Sequence, residues 1–454
     1  MGFVSINPAT GEVVKSVAFQ SDAEIDAALA QAHAAFLTYS QLPVAERARM
    51  LNTAASVLDS ESPDVARILT TEMGKTFAAA RGEVAKCVLG LRWFAEHGPK
   101  MLESEMVVTG ASQSYVRYDP IGAVLAIMPW NFPLWQVIRF AAPTLIAGNV
   151  GLLKHAPNVP ETAAYLEGLF RRSGYPAGIF TSLYCDVDAI ARVISDDRVA
   201  AVTLTGSERA GRSVAAAAGA AVKKCVLELG GSDPFIVLSS ADIEKAVRVG
   251  VTARTQNNGQ SCIAGKRFII EDSIYDEFAQ KFSDAMASLV VGDPFDPATD
   301  VGPLVSETQR NQIASQVNDA VEKGAKLHCG GAIPSGPGWY YPPTVLSEIT
   351  PAMRVYKEEV FGPVATLWRA KDEDDAIAIA NDTPFGLGAS VWSGDDAQIN
   401  RLIPRLEVGQ VFVNAMVAST PELPFGGVKN SGIGRELSVH GLREFVNAKA
   451  VWVA

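Results

Sequence analysis

The chain is poor in the residues that several large functional classes require. It has five cysteines and five histidines in 454 residues. The cysteines (Cys87, Cys185, Cys225, Cys262 and Cys329) are odd in number, far apart and without a CxxC pair. Reduced thiols in a cytoplasmic compartment are the simplest reading. The histidines form no HExxH and no paired spacing, so no metal site is expected. Basic residues are in deficit, 39 Lys and Arg against 50 Asp and Glu, and none of them cluster. A nucleic-acid partner is therefore not expected. The N-terminal MGFVSINPATGE has neither a basic segment nor an apolar core and does not read as a signal peptide. Pro120 to Ile138 carries no charge, but three prolines, Asn131 and Gln136 interrupt it, so it reads as a buried strand, a turn and a helix rather than a membrane span. A GxSxG elbow is missing, and so is a GxGxxG loop after a strand.

What is present is an ordinary globular composition, 48 % hydrophobic and 20 % charged, long enough for two or three domains. The first hundred residues read as helical. Ser21 and Glu24 form a capping box, Ile25, Ala28, Leu29, Ala32 and Phe36 follow at helix spacing, and Gly98 with Pro99 punctuates the end. Strand and helix then alternate: SYVRYDP, IGAVLAIMP, GLLKHAP and VAAVTLTG as strands, PETAAYLEGLFRRSG and the segment from Glu208 as helices. A second alternating region starts at KKCVLELGGSDPFIVL, and the C-terminal apolar run is suited to pair with another strand. This pattern predicts an α/β protein with two open, mostly parallel sheets.

Three residues stand out chemically. Cys262, in NNGQSCIAGKR, has polar and small neighbours and lies near Lys266 and Arg267, a setting that favours an accessible thiolate; the alternative is a small buried hydrophobe. Glu228 interrupts the apolar strand CVLEL and is either a salt-bridged structural group or a general base. Asn131, at an expected helix start, is either a cap or an amide donor to an oxyanion. Gly206 and Ser207 end a strand before a helix, where backbone N–H groups can meet a phosphate. Gly206 to Ser213 has P-loop glycine spacing, but Arg212 stands in place of the essential lysine.

The motifs INPATGE, PWNFP, GN before LLK, TGS, LELGG, GQSC, EEVFGPV and PFGGVKNSGIGRE occur in order along the chain. Together they resemble the aldehyde dehydrogenase superfamily over essentially the whole length. The resemblance implies a Rossmann-like coenzyme-binding domain (1–101 and 122–228), an α/β catalytic domain (229–430) and a small β oligomerisation arm (102–121 and 431–454). It implies Cys262 as nucleophile, Glu228 as general base, and Asn131 with the Cys262 N–H as oxyanion hole. Trp130, Lys154, Pro157, Gly206, Ser207, Glu359 and Phe361 are the implied coenzyme contacts, and Glu436 a member of a proton path. Pro157 stands where relatives of the KPxE type carry a carboxylate that repels a 2′-phosphate, so NAD or NADP is permitted. The presence of Glu228 speaks for an acid-forming enzyme rather than a CoA-acylating one.

Asn131, Trp135 and Arg139 are four apart and are expected to share a helix face. A cation there suggests an aldehyde with a distal carboxylate; a structural ion pair is the alternative. MPWNFPLWQVIR, KHAPN and LELGGSDPF resemble the shorter bacterial succinate-semialdehyde dehydrogenase branch, with Ser419 at a matching loop position to aid the same carboxylate. Glutarate semialdehyde or a non-acidic aldehyde is the alternative substrate. The resemblance further implies a homodimer or homotetramer and no membrane partner.

Overall fold

A computed structural model describes residues 2–454. The chain opens with an antiparallel hairpin, Gly2–Ile6 against Val13–Ala18, rather than a helix. The turn is closed by Asn7 accepting from Gly11, whose φ of +78° suits glycine. The strand VVKSVA is mostly exposed, so it lacked the apolar alternation that would have announced it. Helices Asp22–Tyr39, Val44–Ser60, Ser62–Met73 and Phe77–Met101 follow. The capping box at Ser21 and Glu24 is present in both directions. Gly98 and Pro99 do not end the last of these helices, which runs through both to Met101. Gly98 is instead a packing position: a Cβ there would sit 2.9 Å from Ile146.

Two sheets carry the architecture. The first has six strands in the order Gly432–Ile433, Lys224–Glu228, Val199–Thr205, Ala123–Met128, Val150–His155, Phe180–Ser182. All pairs are parallel except the short edge strand Gly432–Ile433. The central strands AVLAIM and VGLLKH are buried on both faces, which explains their continuous apolar runs. The second sheet has seven strands, in the order Lys326–Cys329, Thr344–Ser347, Val364–Ala370, Gly265–Glu271, Asp233–Val237, Gly388–Trp392, Gln410–Val413. It is parallel apart from its first edge strand. The C-terminal strand Val446–Val453 pairs antiparallel with Gln113–Pro120, as its apolar run suggested, and Glu105–Met106 adds a third strand. The overall class is thus the expected α/β fold.

In the six-stranded sheet the chain proceeds outward from Ala123–Met128 in both directions, so the topological switch lies between Ala123–Met128 and Val199–Thr205. The carboxyl ends of those two strands deliver Trp130 and Asn131 on one side and Gly206 and Ser207 on the other. A crevice at such a point is where open α/β sheets bind ligands.

Candidate active site

A cleft of about 570 Å³ opens at this switch point. It is lined by Trp130, Asn131, Gly206, Ser207, Glu359, Phe361 and, at its inner end, Cys262. The Trp130 and Phe361 rings meet edge to face at 5.7 Å, forming an aromatic wall. Ser207 caps the helix Glu208–Ala220 by accepting from Ala210 N–H, and the remaining N–H groups of the first helical turn have no intrahelical acceptor. Gly230 lies in the wall, where a Cβ would come 2.5 Å from Glu359 Oε2 and force that carboxylate to shift. Lys154 and Pro157 lie outside this lining. Lys154 is buried near the end of Val150–His155, and Pro157 is exposed in the following turn.

Cys262 sits between a short turn, Gln256–Gly259, and the strand Gly265–Glu271. Asn257 and Asn258 both adopt φ of +57°, a left-handed conformation that asparagine tolerates. Their amides fix the turn: Asn257 Nδ2 donates to the carbonyls of Asn131 (2.8 Å) and Gln260 (3.0 Å), Asn258 Nδ2 to those of Gly74 (2.8 Å) and Pro303 (2.9 Å). Lys266 Nζ donates to the carbonyls of Ser261 (3.0 Å) and Cys262 (2.7 Å) and pairs with Glu359 at 3.1 Å. Arg267 points away, its guanidinium bonded to the carbonyls of Tyr356, Ile379 and Asp382. The two cations beside Cys262 in sequence therefore do not yield a resting thiolate. Burial pushes the thiol up to about 12, against smaller opposing effects of Lys266 and Arg139. Burial thus opposes the thiolate that the neighbouring cations favour.

Asn131 is buried and caps no helix. The helix Trp135–Ile146 begins four residues later, so only Trp135 and Arg139 share a helical face. A tight bend at residues 131–134 intervenes because the Glu83 carboxylate takes over the cap, accepting from the N–H groups of Leu134 and Trp135, each at 2.9 Å. Glu83 is in turn ion-paired to the fully buried Lys75, whose ammonium also donates to the Asn131 carbonyl at 3.1 Å. The Asn131 side-chain amide donates to the Gln260 carbonyl at 3.1 Å. Lys75, Glu83 and Asn257 thus clamp the peptide that carries Asn131.

A second cavity, of about 310 Å³, lies on the other side of Cys262. Cys262 and Gln136 line both spaces. Its walls include Phe132, Trp135, Arg139, Ser419 and Lys86. Arg139 is buried and ion-paired to Glu436, donates to Thr205 Oγ1 at 3.3 Å and stacks over Phe425 at 4.5 Å. Arg139 thus forms the structural ion pair and also lines the cavity. Ser419 Oγ accepts from Trp135 Nε1 at 2.9 Å and from Lys86 Nζ at 2.7 Å. Glu228 lines neither cavity. It is buried at the end of Lys224–Glu228, both carboxyl oxygens without a hydrogen-bond partner, and burial with the neighbouring Glu436 raises its pKa well above the usual range. Burial likewise raises Glu436, opposed by Arg139.

Sequence reading did not find Lys86, or the Lys75–Glu83 pair. The only available signal was charge on the apolar face of Phe77–Met101, where Glu83 lies beside Val84 and Cys87. Among the described residues, no group of three His, Cys, Asp or Glu could hold a metal, and no helix is long and apolar enough to cross a membrane.

Known proteins share this sequence and fold. The chain is 56 % identical to a succinate-semialdehyde dehydrogenase [NADP(+)] of Mycobacterium avium (strain 104), covering all of this chain and 97 % of the relative. It is 55 % identical to succinate-semialdehyde dehydrogenase [NADP(+)] 1 of Mycobacterium tuberculosis (strain ATCC 25618 / H37Rv), with both chains covered in full. The crystal structure of succinic semialdehyde dehydrogenase from Streptococcus pyogenes in complex with NADP+ superposes with a TM-score of 0.97 at 37 % identity, covering 99 % of each chain. The model of the aldehyde dehydrogenase family matches residues 2–451, and the chain belongs to that family.

Proposed function

We propose that this chain oxidises succinate semialdehyde to succinate, with NADP or NAD as coenzyme, through a covalent adduct on Cys262. The observation that carries this reading is the position of Cys262 between a cleft at the sheet's switch point and a cavity walled by Arg139, Lys86 and Ser419. The names of the relatives agree with it. The cleft fits a dinucleotide: free N–H groups after Ser207 suit a pyrophosphate, and the Trp130–Phe361 wall suits a flat ring. Lys154 is proposed to reach ribose hydroxyls and Glu359 the nicotinamide ribose. Pro157 places no carboxylate against a 2′-phosphate.

The chemistry follows from the groups around the sulfur. Once ionised, Cys262 Sγ bonds to the aldehyde carbon, and the carbonyl electron pair moves to oxygen. The Asn131 amide and the Cys262 N–H hold that oxyanion. When bound, the nicotinamide coenzyme supplies the acceptor for the hydrogen and electron pair that leave this carbon. Glu228, once it has given up the proton that burial favours, then takes a proton from water, whose oxygen attacks the thioester carbon; the C–S bond breaks and that proton passes to the departing sulfur, which frees the acid and the thiol. Glu228 lies near Arg139 and Glu436, lines neither cavity and has no hydrogen-bond partner, so acting as base requires its side chain to turn toward the sulfur.

Residues 1–101 and 122–228 are proposed as the coenzyme-binding domain, 229–430 as the catalytic domain, and 102–121 with 431–454 as the oligomerisation arm. Exposed Met106 and Trp452 on the three-stranded sheet, with exposed Val108 just beyond its edge strand, support subunit contact there, in a homodimer or homotetramer. A matrix of NAD and NADP against succinate semialdehyde and butanal tests the function. Highest kcat/KM for succinate semialdehyde is expected; equal values for butanal would refute the acidic-substrate reading.

A further inference from the structure

We infer that Lys86 is a specificity-determining residue, its ammonium receiving the substrate's distal carboxylate together with the Ser419 hydroxyl. The inference rests on the proposed acidic-aldehyde oxidation and names the group that selects for the acid.

Arg139, the cation legible in the sequence, is already committed. Glu436 neutralises it, Thr205 takes another N–H, and Phe425 covers one face of its guanidinium. Lys86 has no such partner. Among the described residues, no carboxylate forms an ion pair with it, and its one polar contact is Ser419 Oγ at 2.7 Å. The neighbouring Glu83 is occupied by Lys75 and two backbone N–H groups. The ammonium lies 4.5 Å above the Trp135 ring, which holds it in the cavity wall without neutralising it. A cation in a largely apolar cavity without a counter-ion calls for an anionic ligand.

Ser419 completes the receptor. Its oxygen accepts from Lys86 and from Trp135 Nε1, which uses both lone pairs. Its own proton is left to donate. A carboxylate between Lys86 and Ser419 would therefore gain a charge-assisted hydrogen bond and a hydroxyl bond while displacing no ion pair. Burial, with Arg139 close by, brings the lysine down to about 8, as befits an ammonium kept without a partner.

The test compares succinate semialdehyde with butanal, of equal chain length, in wild-type protein, Lys86→Met and Lys86→Arg. Lys86→Met is expected to lower kcat/KM for succinate semialdehyde by about tenfold to a hundredfold, the range for a hydrogen bond to a charged group, with a change below about threefold for butanal. Lys86→Arg is expected to recover most of the loss. Equal losses on both aldehydes, or unchanged selectivity in Lys86→Met, would overturn the assignment. Wild-type protein without preference for the acid would instead overturn the underlying functional reading. Labelling gives a readout that needs no variant. Succinate is expected to shield Lys86 of the wild-type protein from an amine-reactive N-hydroxysuccinimide ester, measured by peptide mass spectrometry, whereas butyramide is not. Labelling unaffected by saturating succinate contradicts the assignment.

Discussion

The clamp behind Asn131 offers a prediction that separates structure from chemistry. Lys75 and Glu83 are both buried, and their ion pair is linked to the Asn131 carbonyl on one side and to Leu134 and Trp135 N–H on the other. Lys75→Met keeps the side-chain volume and leaves the Glu83 carboxylate uncompensated. Removal of one partner from a buried pair costs about 3–5 kcal/mol. Glu83 retains two backbone donors, so the lower end, about 3 kcal/mol, is expected. Asn131 also loses one of the two donors to its carbonyl, while Asn257 Nδ2 remains at 2.8 Å. The fall in kcat should accordingly be about tenfold, less than the hundred- to thousandfold effect of deleting an oxyanion donor outright. Adding Glu83→Gln removes the stranded charge, so the double variant should be more stable than Lys75→Met alone. Urea midpoints of the four proteins in this cycle provide the assay, with kcat measured in parallel. Simply additive losses, or a Lys75→Met midpoint equal to wild type, would refute the argument that a buried pair sets the Asn131 peptide.

Other expectations follow from the same geometry. Asn131→Ala should lower kcat by about a hundred- to a thousandfold, with a far smaller effect on coenzyme affinity measured by fluorescence titration. Arg139→Ala should lower the melting temperature because Glu436 loses its partner, and should change KM for succinate semialdehyde and butanal to similar extents because Lys86 receives the distal carboxylate; a rise confined to succinate semialdehyde would make Arg139 the carboxylate's partner instead. The raised Cys262 pKa means that the thiolate is scarce at neutral pH and increases tenfold per pH unit below about 12. Iodoacetamide inactivation of the coenzyme-free protein should therefore keep accelerating from pH 7 to 9, and a plateau below pH 8 would contradict the burial argument.

The parts legible in the sequence were those with a local signature. Continuous apolar runs such as AVLAIM announce parallel strands because both faces are covered, and Ser21 with Glu24 announces a helix start because both bonds are made within four residues. The first hairpin escaped notice because its second strand is exposed and carries no apolar pattern. Gly98 was misleading for a physical reason: glycine marks helix ends, but here it lets Phe77–Met101 approach Ile146. Spacing grouped Asn131, Trp135 and Arg139, but joining them to Cys262 and Ser419 came from resemblance, since those contacts span up to 284 residues of chain. Lys86 and Lys75 were invisible because an isolated lysine on a helix (Lys86) or in a link between helices (Lys75) reads as solvated; only the tertiary structure places one against Ser419 and the other against Glu83. The thiol pKa was not legible because it depends on burial and on where nearby cations point, and Lys266 and Arg267, adjacent in sequence, direct their hydrogen bonds to carbonyl oxygens.

The central claim is that Cys262 carries the substrate as a thioester that Glu228-activated water releases. Glu228→Gln protein, mixed with succinate semialdehyde and coenzyme and quenched in acid, tests it directly by peptide mass spectrometry. A succinyl group on Cys262, formed with one burst of reduced coenzyme and slow turnover afterwards, is the predicted result. An unmodified Cys262 with undiminished steady turnover would contradict it.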